Sequence, residues 1–206
     1  MRPPNKLMKK LIWIIILSLY LITPSQADDI RDFQIEGMSI GDSMLNYFSK
    51  ENINKSVKIN PQYPKDDFKI AWFNKQKNGN KFKIYDGVTY YFKKNDSQYL
   101  IYGMLASIYF PNNLSNCLRE KKIIQSEIEN ALKVKFSSDI KQKLFKDDTT
   151  MMYGAIHNFT SGGVIQIVCY DWSKNKEESE GRSDELSVSI TNSEYSSWID
   201  SISDLY

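Results

Sequence analysis

The sequence predicts an α+β domain: a mainly antiparallel sheet carrying about three helices, folded as a single unit. Three observations carry this expectation. Hairpin-like turn signals, Asn78-Gly79-Asn80, Asp86-Gly87 and Ser161-Gly162-Gly163, separate short runs of β-forming residues. Helix-period stretches are few, so hairpins outnumber β-α-β crossovers and the helices are expected on one face of the sheet. The 206 residues include 41% apolar and 13% aromatic side chains, enough for one packed core, in a chain too short for two domains.

Residues 1–27 read as a cleavable export signal rather than as part of that domain. Arg2, Lys6, Lys9 and Lys10 precede LIWIIILSLYLI, the run from Leu11 to Ile22. At about twelve residues it has the length of a signal-peptide apolar core, whereas crossing a membrane takes about 20. Pro24 ends the helix, and Ser25 and Ala27 are the small residues a signal peptidase reads. Cleavage after Ala27 leaves Asp28 as the amino terminus. No cysteine lies near that junction, so no lipid attachment is expected, and no membrane-spanning segment remains in 28–206. The domain 28–206 is therefore expected outside the cytoplasm, in the periplasm first and extracellular second.

The whole chain has 27 Lys and Arg against 25 Asp and Glu. The leader takes four of the bases and no acid with it, which leaves the exported part slightly acidic. Lys and Glu are interspersed, and no basic face rich enough to neutralise phosphates is present, so nucleic acid is not an expected partner.

A short strand is expected first. Ser39-Ile40-Gly41-Asp42 fits a capping box, in which the serine oxygen accepts from a backbone N–H and the acid reaches back. Ile40, Met44, Leu45 and Phe48 recur behind it at near-helical spacing and predict an amphipathic helix to about Phe48. Strands are expected over 68–73, 81–85 and 88–93. The apolar run 99–110 (YLIYGMLASIYF) reads as a central strand in which Gly103 permits close packing. Residues 115–133 predict a longer helix with Ile123, Ile124, Ile128 and Leu132 on one face, extending after a break at Ser137-Ser138 through Ile140, Leu144 and Phe145.

Runs 150–160 and 164–172 flank Ser161-Gly162-Gly163 as a hairpin. In the second run Ile165, Ile167 and Cys169 share a face, which aims Cys169 into the core toward the start of the long helix. Residues 173–185 (SKNKEESEGRSDE) are charged and read as a solvated loop, and 186–190 as a last short strand. Thr191-Asn192-Ser193-Glu194 repeats the capping signature ahead of Trp198, Ile199, Ile202 and Leu205, a terminal helix with an apolar stripe.

Cys117 and Cys169 are the only cysteines. In an oxidising compartment such a pair predicts a disulfide, and closing so long a loop is worth about 4 kcal/mol on chain entropy. A redox pair favours a C-x-x-C turn, and zinc needs three or four ligands where the chain holds one histidine, so no metal or cofactor is expected. Asp66-Asp67 and Asp147-Asp148 lack the alternating oxygens of a calcium loop and read as surface turns.

Gly41-Asp42-Ser43-Met44-Leu45 resembles the nucleophile block of the GDSL (SGNH) esterase family. The resemblance implies a serine hydrolase in which Ser43 attacks an ester and His157, the only histidine, serves as base. In that family an acid stands three residues before the histidine; here the position is Gly154, and the blocks that help hold the oxyanion have no counterpart. Read physically, Ser43 is a first-turn helix residue and His157 a hydrogen-bonded strand residue, with Asp171 as a candidate partner across the hairpin. Tyr90-Tyr91-Phe92 and the YLIY run admit a ligand groove, and core packing accounts for the same residues.

The opening DFQIEGMSIGDSMLNYFSKENI (32–53), with NCLREKKII and VCYDW around the two cysteines, resembles a recurring set of small exported bacterial proteins with no assigned activity. It implies a single exported domain and transfers no site. The leading expectation is a non-enzymatic envelope protein that binds a partner protein or a small ligand. Catalysis by Ser43 and His157 is the alternative.

Overall fold

The computed structural model describes residues 30–58, 67–75, 82–137, 139–144 and 149–203. Among them eight strands form one sheet: β1 (Val57–Lys58), β2 (Phe68–Asn74), β3 (Gly87–Lys93), β4 (Gly103–Tyr109), β5 (Ile140–Lys143), β6 (Met151–Asn158), β7 (Val164–Asp171) and β8 (Glu185–Thr191). Four helices accompany them: α1 (Lys50–Ser56), α2 (Leu114–Leu132), α3 (Lys174–Glu180) and α4 (Ser193–Ser203). The strand order is β1-β2-β3-β4-β8-β7-β6-β5, and every neighbouring pair is antiparallel. The chain lays down one meander, crosses the sheet through α2, and lays down a second meander from the far edge back to the middle. There β4 meets β8, from Gly103 opposite Thr191 to Tyr109 opposite Glu185. The α+β class with an antiparallel sheet is as the sequence predicts, with one helix more.

Alternation sorts each strand between two faces. Ala71 and Phe73 of β2, Val88, Tyr90 and Phe92 of β3, and Met104 and Ala106 of β4 are buried on one of them. Leu186, Val188 and Ile190 of β8 and Ile165, Ile167 and Cys169 of β7 continue that layer. Helix α2 packs on β7 and β8, burying Cys117, Ile128 and Leu132. Over β2 and β3 the cover is the segment before β1: Phe48 stacks on Phe73 at 4.1 Å and meets the edge of Tyr90 at 5.6 Å. The expected bridge is formed, Cys117 to Cys169 with Cα atoms 6.0 Å apart, tying α2 to β7.

Several local expectations are corrected. The Ser39-Asp42 box closes a turn, not a helix: the Asp42 carboxylate accepts from the Ser39 N–H at 2.9 Å, but Gly41 at φ +89° takes the chain out of helical geometry. Ile40, Met44 and Phe48 are buried as expected, while Leu45 is exposed and α1 starts only behind the Ser49 cap. The initial short strand reduces to a single bridge between Ile35 and Met38. Helix α2 ends at Lys133, which takes a left-handed conformation (φ +57°), and Ile140–Lys143 pairs with β6 as strand β5 instead of extending the helix. Ile123 lies 44% exposed, off the apolar face.

Residues expected as a solvated loop contain α3, capped by Ser173 and closed by Gly181 at φ +65°. Lys174–Glu177 and Lys176–Glu180 pairs support it along its exposed side. The terminal helix starts one residue later than its signature suggests, with Asn192 Oδ1 accepting from Tyr195 N–H at 2.9 Å. It also lies on the face opposite α2: Tyr195 stacks at 4.5 Å on Tyr91, whose neighbours Tyr90 and Phe92 point the other way. Ala27, Asp28, Lys81, Phe145 and Leu205 lie outside the described residues, as do the turn at 78–80 and the pairs Asp66-Asp67 and Asp147-Asp148, apart from Asp67.

The expected strand at 81–85 gives way to a loop wrapped around a carboxylate. Glu36, itself at φ +52°, accepts from the backbone N–H groups of Lys83, Ile84 and Tyr85 at 2.8, 2.8 and 2.9 Å. Partial burial pushes its carboxyl up, but the three N–H donors and Lys75 outweigh this and hold it below the ordinary value. A carboxyl lowered in the folded state stabilises above its unfolded pKa, and that contribution is lost as pH falls through the folded one. Solvent screens a carboxylate that is only partly buried, so Glu36→Gln is expected to cost at most about 1 kcal/mol in urea denaturation at neutral pH. The difference from the parent should shrink in acid; an equal loss at both pH values would show that shape, not charge, holds the loop.

Candidate functional site

The same alternation that builds the core leaves the other face of the sheet open over its middle strands. Register fixes what lies there. Tyr109 of β4, Glu185 of β8 and Tyr170 of β7 stand side by side; Ser107, Ser187 and Val168 form the next row, and Leu105, Ser189 and Gln166 the one after. Trp72, Thr89 and Tyr91 extend this surface across β2 and β3.

Two glycines let the aromatic rings lie flat. A Cβ on Gly103 would come within 3.0 Å of the Tyr91 ring and 3.1 Å of the Thr191 methyl group. One on Gly87 would stand 3.3 Å from the Trp72 indole nitrogen. Each ring thus occupies space that any other residue would fill, the positional meaning of glycine inside a strand. The result is a trough of about 660 Å³, floored by the strands and closed on one side by Glu180, Gly181, Arg182 and Ser183. Past Tyr91 and Leu105 it continues into a recess of about 330 Å³ beside α4, lined by Ile156, Gln166, Ser189, Tyr195 and Ile199.

Charge in the trough is concentrated at Glu185. Burial raises its carboxyl above the ordinary value, against the opposing pull of a hydrogen bond from Ser107 and the nearby Arg182 guanidinium. Burial, with the Glu185 charge adding to it, pushes the Tyr170 phenol up to about 12. Tyr109 is raised by burial and by Glu185 and Asp86, so both phenols remain hydrogen-bond donors at neutral pH. Tyr170 stacks on Trp172 at 5.5 Å, and the Arg182 guanidinium lies 4.7 Å from the Trp172 ring centre. The Trp172 indole nitrogen is buried with no hydrogen-bond partner.

The residues singled out from the sequence lie elsewhere. Ser43 caps a short 3-10 turn (Met44–Asn46): its Oγ accepts from the Leu45 N–H at 3.2 Å and donates to the Gln98 carbonyl. His157 sits on the α2-covered side of β6 with Nδ1 2.8 Å from the Lys135 carbonyl, and its ring meets Phe159 edge-on at 4.8 Å. Ser43 bridges Leu100 just ahead of β4, and β8 and β7 separate β4 from β6. At ordinary strand spacing that interval is roughly 14 Å. The structure does not bring Ser43 and His157 together. Nor does it pair His157 with Asp171: they stand opposite Ile165 and Met151, near opposite ends of the hairpin.

Among the described residues no group of three or more His, Cys, Asp or Glu is placed to hold a metal ion. No helix among them is long and apolar enough to cross a membrane. No protein-family model matches the chain, and neither does any curated protein or solved structure.

Sequence reasoning did not single out Trp72, Tyr109, Tyr170, Arg182 or Glu185. For Trp72 and Tyr109 a signal existed, since each occupies the off-core position of its strand. For Arg182 none did, because its place over Trp172 depends on a helix read as a loop.

Proposed function

We propose that the mature chain is an exported, non-enzymatic binding module that seats a small ligand on the open face of its sheet. The observation that carries this reading is the row Tyr109, Glu185, Tyr170 at the floor of the trough. A concave, mainly polar surface that sets aromatic side chains beside a carboxyl of raised pKa suits a small polar or charged ligand. A purely structural sheet face has no need to hold a half-buried carboxyl there, because withdrawing it from water costs stability. Export is supported by the leader at 1–27, by the disulfide, which persists in oxidising compartments, and by the resemblance of the opening at 32–53 to exported proteins.

The test is fluorine-labelled tryptophan in the chain that begins at Asp28, titrated with a panel of neutral oligosaccharides, amino acids, organic ammonium ions and short acyl chains. Trp72 and Trp172 line the trough, whereas Trp198 lines a separate pocket beside Lys93 and Glu194. At least one class should shift the Trp72 and Trp172 signals in a saturable manner and leave Trp198 in place. A panel that shifts only Trp198, or none of the three, overturns the proposal.

A further inference from the structure

We propose that the ligand of this trough carries an ammonium group, seated on Glu185 between the side chains of Tyr109 and Tyr170. The inference rests on the reading of the trough as the binding site and specifies what enters it.

Charge is the first argument. The charged residues that line the trough are Glu180 and Glu185 against the single guanidinium of Arg182, and no lysine lines it. Arg182 is directed to Glu180, 3.4 Å away, and to the face of Trp172, not into an ion pair with Glu185. Among the described residues the hydrogen-bond partner of the Glu185 carboxyl is the neutral hydroxyl of Ser107. A desolvated carboxylate held this way gains strongly from a cation and nothing from a second anion.

Geometry is the second. Glu185 has a tyrosine directly opposite on each neighbouring strand, on the same face of the sheet. Side chains so paired stand about 5 Å apart at Cβ, so the carboxylate is flanked by two aromatic side chains. Such rings attract ammonium groups, most strongly where water is scarce. The protein already uses this chemistry beside the site, where Arg182 lies over Trp172 at 4.7 Å.

A neutral saccharide could stack on the same rings, but it would bring no positive charge to Glu185.

The experiment is titration of the chain beginning at Asp28 with four probes, followed by tryptophan fluorescence. They are choline, its neutral isostere with carbon in place of the quaternary nitrogen, tetramethylammonium, and maltotriose. Choline is expected to bind roughly tenfold or more tightly than its isostere. Glu185→Gln should remove that preference and leave the weak binding of the isostere unchanged. Because it removes a charge partly withdrawn from water, this variant should melt no lower than the parent, so the loss cannot be ascribed to unfolding. Tetramethylammonium, which carries the cation alone, should bind much as choline does and weaken with it in Glu185→Gln. Equal binding of choline and isostere, or retention of the preference in Glu185→Gln, overturns the ammonium inference and leaves the trough standing as a site. Maltotriose binding there without choline does the same, in favour of a saccharide. If no probe binds, the ammonium inference falls, and the fluorine panel decides the trough separately.

Discussion

Phe73→Ala is expected to lower stability by about 3–5 kcal/mol, the range for removing a large aromatic side chain from a packed interior. Phe73 is fully buried. It stacks on Phe48 at 4.1 Å with planes 22° apart and takes the edge of Tyr90 at 5.7 Å, while Phe48 and Tyr90 meet at 5.6 Å. The three rings join β2, β3 and the segment ahead of α1, so the cavity left by alanine opens where the amino-terminal cover is pinned to the sheet. Phe48→Ala should be costly for the same reason, and the double substitution should cost less than the two added together, because the rings share contacts. Urea denaturation of the four proteins completes the cycle. A loss under about 1 kcal/mol for Phe73→Ala would mean that the cover is not held there. Trp72, the adjacent residue, supplies the contrast. It faces the trough, and Trp72→Ala should act mainly on ligand response.

That contrast between neighbours marks how much the sequence could reveal. In FKIAWFN the period-2 alternation alone separates Phe73 from Trp72, and in β7 it aims Cys169 at α2, as the disulfide bears out. The long helix, the hairpin at 161–163 and the central place of β4 follow from equally local signals. Errors arose where one signal had two solutions. Ser39 and Asp42 satisfy each other as readily in a turn as in a helix, and Gly41 at φ +89° decides for the turn. Residues 173–185 carry a serine cap, spaced ion pairs and a terminal glycine, yet their charge made them read as loop. The trough was the least legible part. Its central row exists because β8 pairs with β4 on one side and β7 on the other. The first of those pairings joins strands far apart in sequence, across α2 and three other strands, and no local periodicity encodes it. Glu185 therefore looked like the end of a charged loop, while in the folded chain it stands between two tyrosines.

Removing the disulfide is expected to cost about 2–4 kcal/mol, with the chain-entropy value for its 52-residue span at the upper end. The bond joins the first turn of α2 to β7 and is fully buried at both cysteines. Its main action is on the unfolded chain, which it keeps compact, so the variants should also show a larger urea slope as more surface becomes exposed on unfolding. Cys117→Ala, Cys169→Ala and the double substitution should fall close together, since either single change already breaks the link and alanine leaves no buried hydroxyl behind. A double substitution twice as costly as either single one would mean that the side chains act by separate packing instead of through the bond. Detection of two free thiols in protein purified without reductant would remove the premise altogether. The same argument ties folding to compartment. A chain made without residues 1–27 in a reducing cytoplasm would fold without the link and should carry the same deficit as the alanine pair, whereas oxidation of that protein after purification should restore the midpoint of the disulfide-bonded form.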